Sequence, residues 1–289
     1  MIRRIAFFLS LFGLVLAGCS PSGSLVGGKP YRKKKPAIVS LSPSATEILL
    51  TYGVQSRLVG RTEACNFPPA VKPIEIVCTV KPDYERIAKL DPGLIVYDAQ
   101  LFSAADIERL KAPDRELYSI QGDTVPEFMD SVLELGHLMH TEPTASEYTD
   151  RISIAYNKVK SDPLTKKVKV AIVIASPTGQ HMIAGKKSFA ASCVGACGAE
   201  IVGPDSNKFE ALSPESFIQM APDGIIIATT KNDAEVAVKS LVSDPRIKSM
   251  AAIVNDKVFS IDQDVVLRRG SRVDKLIEIS HRKLKALFP

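Results

Sequence analysis

The feature that most constrains this chain is a pattern stated twice. Residues Asp83–Tyr97 read DYERIAKLDPGLIVY, and residues Ser213–Ile227 read SPESFIQMAPDGIII. Each has a Glu near a helix start, a short amphipathic run, a Pro stop and then an apolar strand. Strict identity is confined to Glu85/Glu215, Pro92/Pro222 and Ile95/Ile225, but the residue class agrees at most positions between. A repeated helix-strand unit points to two similarly built α/β lobes rather than one large sheet. Each lobe then presents one carboxylate at an equivalent place, Glu85 on the first and Glu215 on the second. Matched carboxylates on paired lobes suit docking on a two-fold partner, so the chain reads as a binding and docking protein.

Residues 1–19 stand apart from the fold. Arg3 and Arg4 form a basic start, Ile5–Leu16 an apolar stretch too short to span a bilayer comfortably, and Leu16-Ala17-Gly18-Cys19 a small-residue cleavage site ending in Cys. An ordinary secretory signal has no need of that cysteine. The run resembles the lipobox of bacterial lipoproteins, which implies lipidation of Cys19 and anchoring at the cell membrane on its extracytoplasmic, periplasmic-facing side. Residues 20–35, rich in Ser, Gly, Lys and Pro, read as a tether. Beyond it we expect an N-terminal α/β lobe over 36–141, a bridging helix over 142–163 and a C-terminal α/β lobe over 164–289.

The part after the tether is long enough for two modest cores. Nothing after Leu16 is apolar for long enough to cross a membrane. The formal charge of +5 includes Arg3 and Arg4, and the basic runs at Arg32–Lys35 and near the C-terminus read as solvated rather than as nucleic-acid sites. Four further cysteines follow Cys19. Cys65 and Cys78, both in loop-like sequence of an exported chain, are the more plausible disulfide pair. Cys193 and Cys197, four apart in a predicted helix, would need strained geometry to bond. They lack the His or acidic partners a metal site would use.

From Pro36 onward apolar strands alternate with helical segments, the mark of parallel sheets covered by helices. Ala37–Leu41 is a predicted strand, and a helix follows from Ser44 to Tyr52, with Ser44 as cap and Glu47 completing a capping box. Further helices are predicted at Glu85–Leu90, Ala104–Leu110, Val125–Met139, Phe189–Cys197, Val236–Leu241 and Gly270–Leu287. Strands are predicted at Leu58–Gly60, Leu94–Tyr97, Glu116–Ser119, Val168–Ile174, Gly224–Ala228 and Lys257–Ile261. Between the lobes, Tyr148, Ile152, Ala155 and Val159 form one apolar stripe on a polar helix that spans on the order of 27 Å. The fold class expected is therefore α/β: two Rossmann-like lobes joined by a single long rigid helix, with a ligand cleft between them and modest lobe movement.

Two α/β lobes, a helical bridge and a lipobox together resemble the solute-binding proteins of ABC importers that carry cobalamin, haem or iron-siderophore complexes. The likeness runs through IVSLSPSATEILLTYGV, VGRTEACNFPPAV, KPDYERIAKLDPGLIV, CGAEIV, SPESFIQMAPDGIII and the Arg-Gly-Ser-Arg opening of the last helix. CNFPP at Cys65–Pro69 and Cys197-Gly198 look most like the cobalamin-binding branch. The resemblance implies capture of cobalamin or a related corrinoid, or else of a ferric chelate or haem, and its delivery to a membrane permease dimer with ATPase subunits. It gives Glu85 and Glu215 the permease-docking role that the repeat suggests independently. It also implies a ligand site including Phe67, Tyr97 and Phe209, with Asp264 and Arg268 as a polar pair. Val80 and Asp98 stand where relatives carry aromatic residues, and the chain has no Trp. No catalytic residues, resident metal or cofactor are expected, and a monomer is.

The general rule that ligands bind outside strand C-termini in open α/β sheets selects the loops at Ser42, Thr62–Phe67, Tyr97–Gln100, Ser176–His181, Thr229-Thr230 and Asp262–Arg269. Arg268 and Arg269 could meet a ligand's polar edge or form a salt bridge at the head of the last helix. His181 reads as a solvated loop residue rather than an axial metal ligand. An enzyme is disfavoured because G-x-S-x-G, H-E-x-x-H and the phosphate loop are all missing, and His137 with His140 read as a polar helix face. A zinc or manganese carrier would need three or four convergent His, Asp or Glu.

Overall fold

The computed structural model describes residues 36–176 and 179–289; Cys19 and the tether over 20–35 lie outside the described residues. In the first lobe, strands β1 (Ile38–Ser40), β2 (Leu58–Thr62), β3 (Glu75–Cys78), β4 (Leu94–Asp98) and β5 (Glu116–Ile120) form a parallel sheet in the order β3-β2-β1-β4-β5. The connections run through helices α1 (Pro43–Thr51), α2 (Tyr84–Leu90) and α3 (Ala104–Leu110), and α4 (Val125–Met139) follows β5. Strand order reverses between β1 and β4, which opens a crevice at their C-terminal ends.

These strands are apolar on both faces because both faces are covered. Ile38, Leu94 and Val96 enter one core while Val39 and Ile95 enter another on the opposite side. Helix α5 (Glu142–Ser161) then crosses to the second lobe and buries the predicted stripe Tyr148, Ile152, Ala155 and Val159. The first of those cores continues through this stripe into the second lobe, where it takes in Val170, Ile172 and Ile226. One apolar body therefore runs from lobe to lobe along the bridge.

The second lobe contains β6 (Lys169–Ile174), β7 (Met182–Ala184), helix α6 (Phe189–Gly195), β8 (Glu200–Ile201), β9 (Phe209–Ala211), α7 (Pro214–Gln219) and β10 (Gly224–Thr229). It ends with α8 (Ala234–Val242), α9 (Ala251–Val254), β11 (Val258–Asp262), α10 (Gln263–Leu267) and α11 (Val273–Leu287). Its sheet runs β11-β10-β6-β7-β9, with β8 also paired to β6. Here the lobes differ, because β7 and β9 are antiparallel additions. The connection from Ile174 to Met182 is too short for a crossover and returns the chain antiparallel.

The repeat is reproduced down to its backbone. Asp83 and Ser213 cap α2 and α7 with their side chains, and the turns beyond both helices hold a left-handed residue, Asp91 at φ 43° and Ala221 at φ 45°. Each unit then delivers a strand that pairs in parallel with its lobe's first strand, Ile95 beside Val39 and Ile225 beside Ala171.

Several expectations are corrected. Ser42, not Ser44, caps α1, accepting from the Ala45 N–H at 3.0 Å, because Pro43 occupies the first helical turn where its missing N–H costs nothing. Glu47 therefore completes no capping box. Cys65 and Cys78 are unpaired thiols: the Cys65 sulfur lies 3.0 Å from the Thr46 hydroxyl and 3.1 Å from that of Thr62. Burial pushes the Cys78 thiol up to about 11. His181 is not solvated but only 5% exposed. His137 and His140 share no helix face, since His140 ends α4 in a left-handed conformation.

Candidate functional site

The lobes meet along a polar seam built largely from one segment, Arg268–Arg272, between α10 and α11. Glu47 on α1 of the first lobe is 1% exposed, an apolar-helix position at which a carboxylate is unexpected. It accepts five hydrogen bonds: from Arg268 Nη1 at 3.3 Å, from the Ser271 N–H at 3.1 Å and hydroxyl at 3.0 Å, and from Arg272 Nε at 3.2 Å and Nη2 at 2.6 Å. A buried carboxylate persists only when paired and hydrogen-bonded this fully. Gly270 allows the approach, since a Cβ there would stand 2.6 Å from Glu47 Oε2. Tyr148 of α5 donates its hydroxyl to the Gly270 carbonyl, tying the bridge to the same point.

Arg269 makes the second crossing. Its Nη2 lies 2.6 Å from Asp98 Oδ1 and its Nη1 donates to the Gly122 carbonyl at 2.7 Å. A third crossing joins Asn207 to Asp123 at 2.8 Å, and the Val125 N–H to the Ser192 hydroxyl at 3.1 Å. Asp98 stands at the switch-point end of β4, and the position is filled by its ion pair with Arg269.

Two cavities open at this seam. The first, about 910 Å³, is lined at the lobe junction by Tyr97, Gln100, Gly122, Asp123, Asn207 and Arg269, and extends along β5 and α4 to Asp130 and Glu134. The second, about 400 Å³, is bounded by Ala64 and Asn66 of the first lobe and by Thr230, Asp262, Asp264 and Arg268 of the second. Both lie at strand C-terminal ends, as the general rule for such sheets requires.

Of the predicted ligand residues, Tyr97 lines the first cavity while Asp264 and Arg268 line the second. Phe67 is 38% exposed and follows Asn66 at the lip of the second cavity; its ring packs 4.4 Å beneath the Arg272 guanidinium. Phe209 follows Asn207 by two residues but packs against the shared core. Arg268 is held by Asp264 at 2.8 Å as well as by Glu47. Val80 is 91% exposed. The loop after β6 does not join these groups: Gly179 and Gln180 line a separate cavity of about 480 Å³ with Arg246 and the start of α7.

Beside that cavity, His181 Nδ1 accepts the Ser176 N–H at 3.1 Å, and its Nε2 stands 3.4 Å from Asp244 without hydrogen-bond alignment. Burial lowers the His181 pKa, outweighing the carboxylate. The Arg246 guanidinium, which bonds Asp244 at 2.7 and 2.9 Å, holds that carboxyl well below its usual range.

Glu85 and Glu215 occupy the first turns of α2 and α7. Glu85 borders a surface cavity with Glu75, Asp83, Arg86 and Lys89. Its own backbone N–H, then the Ser213 hydroxyl, hold Glu215 below the usual carboxylate range. Sequence reasoning selected the loops that carry Asn66 and Gln100 without singling out either residue, and it missed the seam roles of Glu47, Asp123, Asn207 and Arg272. Only Glu47 carried a signal, a lone charge among small and apolar residues of α1. Among the described residues no group of three His, Cys, Asp or Glu could hold a metal ion, and no helix is long and apolar enough to cross a membrane.

The sequence profile of the family described as periplasmic binding protein matches residues 38–265. The chain belongs to that family. It is 25% identical over 264 residues to the ABC transporter substrate-binding lipoprotein YvrC of Bacillus subtilis (strain 168), covering 89% of this chain and 82% of that one. It is 22% identical over 229 residues to the vitamin B12-binding protein of Pectobacterium atrosepticum, covering 77% and 81% respectively. The apo structure of the periplasmic haem-binding protein RhuT from Roseiflexus sp. RS-1 superposes with a TM-score of 0.77 at 16% identity, over 89% of this chain and 100% of that one. That last likeness speaks for the two-lobed fold.

Proposed function

We propose that this periplasmic binding protein is the extracytoplasmic substrate-binding component of an ABC importer, and that its cargo is cobalamin or a related corrinoid. The observation that carries the reading is the cavity of about 910 Å³ that opens at the lobe junction, where Tyr97 and Gln100 face Asn207 and Arg269 of the other lobe, and runs on along β5 and α4 of the first lobe. A volume at the upper end of the range for small-molecule sites suits a bulky ligand. Amide and carboxylate groups around it suit the amide-rich edge of a corrin, and the named relatives support the transport role. Bound cargo touches both lobes, with Phe67 and Tyr97 as apolar contacts and the pair of Asp264 and Arg268, whose guanidinium is already held by Asp264 and Glu47, offering its carboxylate to a polar edge.

Delivery then uses Glu85 and Glu215, which present two carboxylates on equivalent helix starts to basic residues of a permease dimer. ATP is hydrolysed in a separate chain, and the binding protein works as a monomer held to the membrane by lipid on Cys19. Ferric-siderophore or haem cargo is the second reading, favoured by the fold likeness to a haem-binding protein. Titration with cyanocobalamin, followed by calorimetry and by the corrin absorbance, tests the first. Saturable one-to-one binding that weakens tenfold or more on Tyr97→Ala is expected; absence of binding by the folded protein overturns the corrinoid assignment.

A further inference from the structure

We infer that the cleft selects a metal chelate of zero or positive net charge whose edge carries N–H donors, and disfavours chelates that present carboxylates or catecholates. This rests on the reading of the cleft as the cargo site. The first cavity is lined by four carboxylates, Asp123, Glu127, Asp130 and Glu134, against one cation, Arg269. That cation is already matched, because Arg269 is 6% exposed and its guanidinium bonds Asp98 and the Gly122 carbonyl and stands 3.8 Å from Asp123. The second cavity repeats the arrangement with Asp262 and Asp264 against Arg268, which is itself bound to Asp264, Glu47, the Asn66 side-chain oxygen and the Ala64 carbonyl. Arg272 is likewise committed to Glu47.

The arginines that would ordinarily fork onto a ligand carboxylate therefore hold the two lobes together instead. An anionic ligand entering either cavity meets more carboxylates than cations; because Glu127, Asp130 and Glu134 are exposed, that repulsion is long-ranged and weakens with salt. Lys208 and Lys231 adjoin cleft residues in sequence, but neither lines these two cavities. The acidity is local, since the whole chain carries a formal charge of +5. Such a lining offers acceptors to amide or ammonium donors and attracts a cationic complex.

The test uses the full-length protein in mild detergent with four probes of graded charge: ferrioxamine B (cationic), cyanocobalamin (neutral, amide-edged), haemin (two propionates) and a ferric tricatecholate (polyanionic). Calorimetry and chromophore absorbance report affinity at two salt concentrations. We expect ferrioxamine B or cyanocobalamin to bind at least tenfold tighter than either anion. Asp130→Asn, an exposed position that leaves the seam intact, should narrow the gap, and Asp123→Asn should narrow it further. Haemin or the tricatecholate binding as tightly as the other probes overturns the charge rule while leaving the transport reading in place. Binding of none of the four by protein with a native circular dichroism spectrum overturns the cargo-site reading itself.

Discussion

Arg272 grips Glu47 across the lobe boundary through two hydrogen bonds, Nη2 to Oε1 at 2.6 Å and Nε to Oε2 at 3.2 Å. The carboxylate sits in a helix of the first lobe and the guanidinium at the head of the last helix, far apart in sequence. Together with Arg269 and Asp98 this pair ties the two lobes at the cleft floor, beside the core that runs through the bridging helix.

Glu47→Ala leaves Arg268 and Arg272 without their shared acceptor at a buried point. Breaking one side of a buried ion pair costs about 3–5 kcal/mol, and urea denaturation should register a loss of that order. Glu47→Gln should lose less, because an amide oxygen still accepts from Ser271.

Gly270→Ala places a methyl group 2.6 Å from Glu47 Oε2, so the seam must shift and stability should fall by about 1–3 kcal/mol. Gly195→Ala is the contrasting case. It lies in α6, where the nearest side-chain atom, from Ile201, is 3.8 Å away, and it should be neutral or stabilising by up to about 1 kcal/mol. Thermal unfolding of the two variants checks both.

The sign of the pH dependence at His181 follows from its burial. Its folded pKa lies below the ordinary 6.5, so the unfolded chain takes up a proton that the fold resists. The stability it contributes is complete above about pH 6.5 and is lost as pH falls toward the lowered folded value. Asp244 stays charged through this window because Arg246 holds its carboxyl low. Unfolding measured from pH 5 to 8 should show a decline toward acid that His181→Gln flattens, with a cost at pH 8 of about 1 kcal/mol for the weakened bond to the Ser176 N–H.

Glu85→Ala and Glu215→Ala should leave cargo affinity within twofold, since neither side chain lines the lobe-junction cavities. Uptake into cells, or stimulation of the importer's ATPase in vesicles, should fall with either and fall further with both. Unchanged uptake in the double variant would remove the docking role.

Much of this molecule was legible from its residues. The repeat at Glu85 and Glu215 fixed two lobes with equivalent helix starts, and the stripe at Tyr148, Ile152, Ala155 and Val159 located the bridge, because amphipathic periodicity is a local signal. Short strands escaped notice. Glu75–Cys78, Met182–Ala184 and Phe209–Ala211 are three or four residues long and owe their conformation to the neighbours they pair with, not to their own pattern.

The cleft was less legible, and the reason is distance. By itself the sequence determined the α/β alternation, the duplicated unit, the helical bridge and the segments at strand C-terminal ends, all set by contacts within a few residues. Only the tertiary structure decided what those segments do. Glu47 looks like a capping residue until α11 arrives with Ser271 and Arg272, and Arg269 looks free for a ligand until Asp98 meets it from the other lobe. A charged side chain's role depends on which partner reaches it through space, and no local pattern encodes a partner some two hundred residues away.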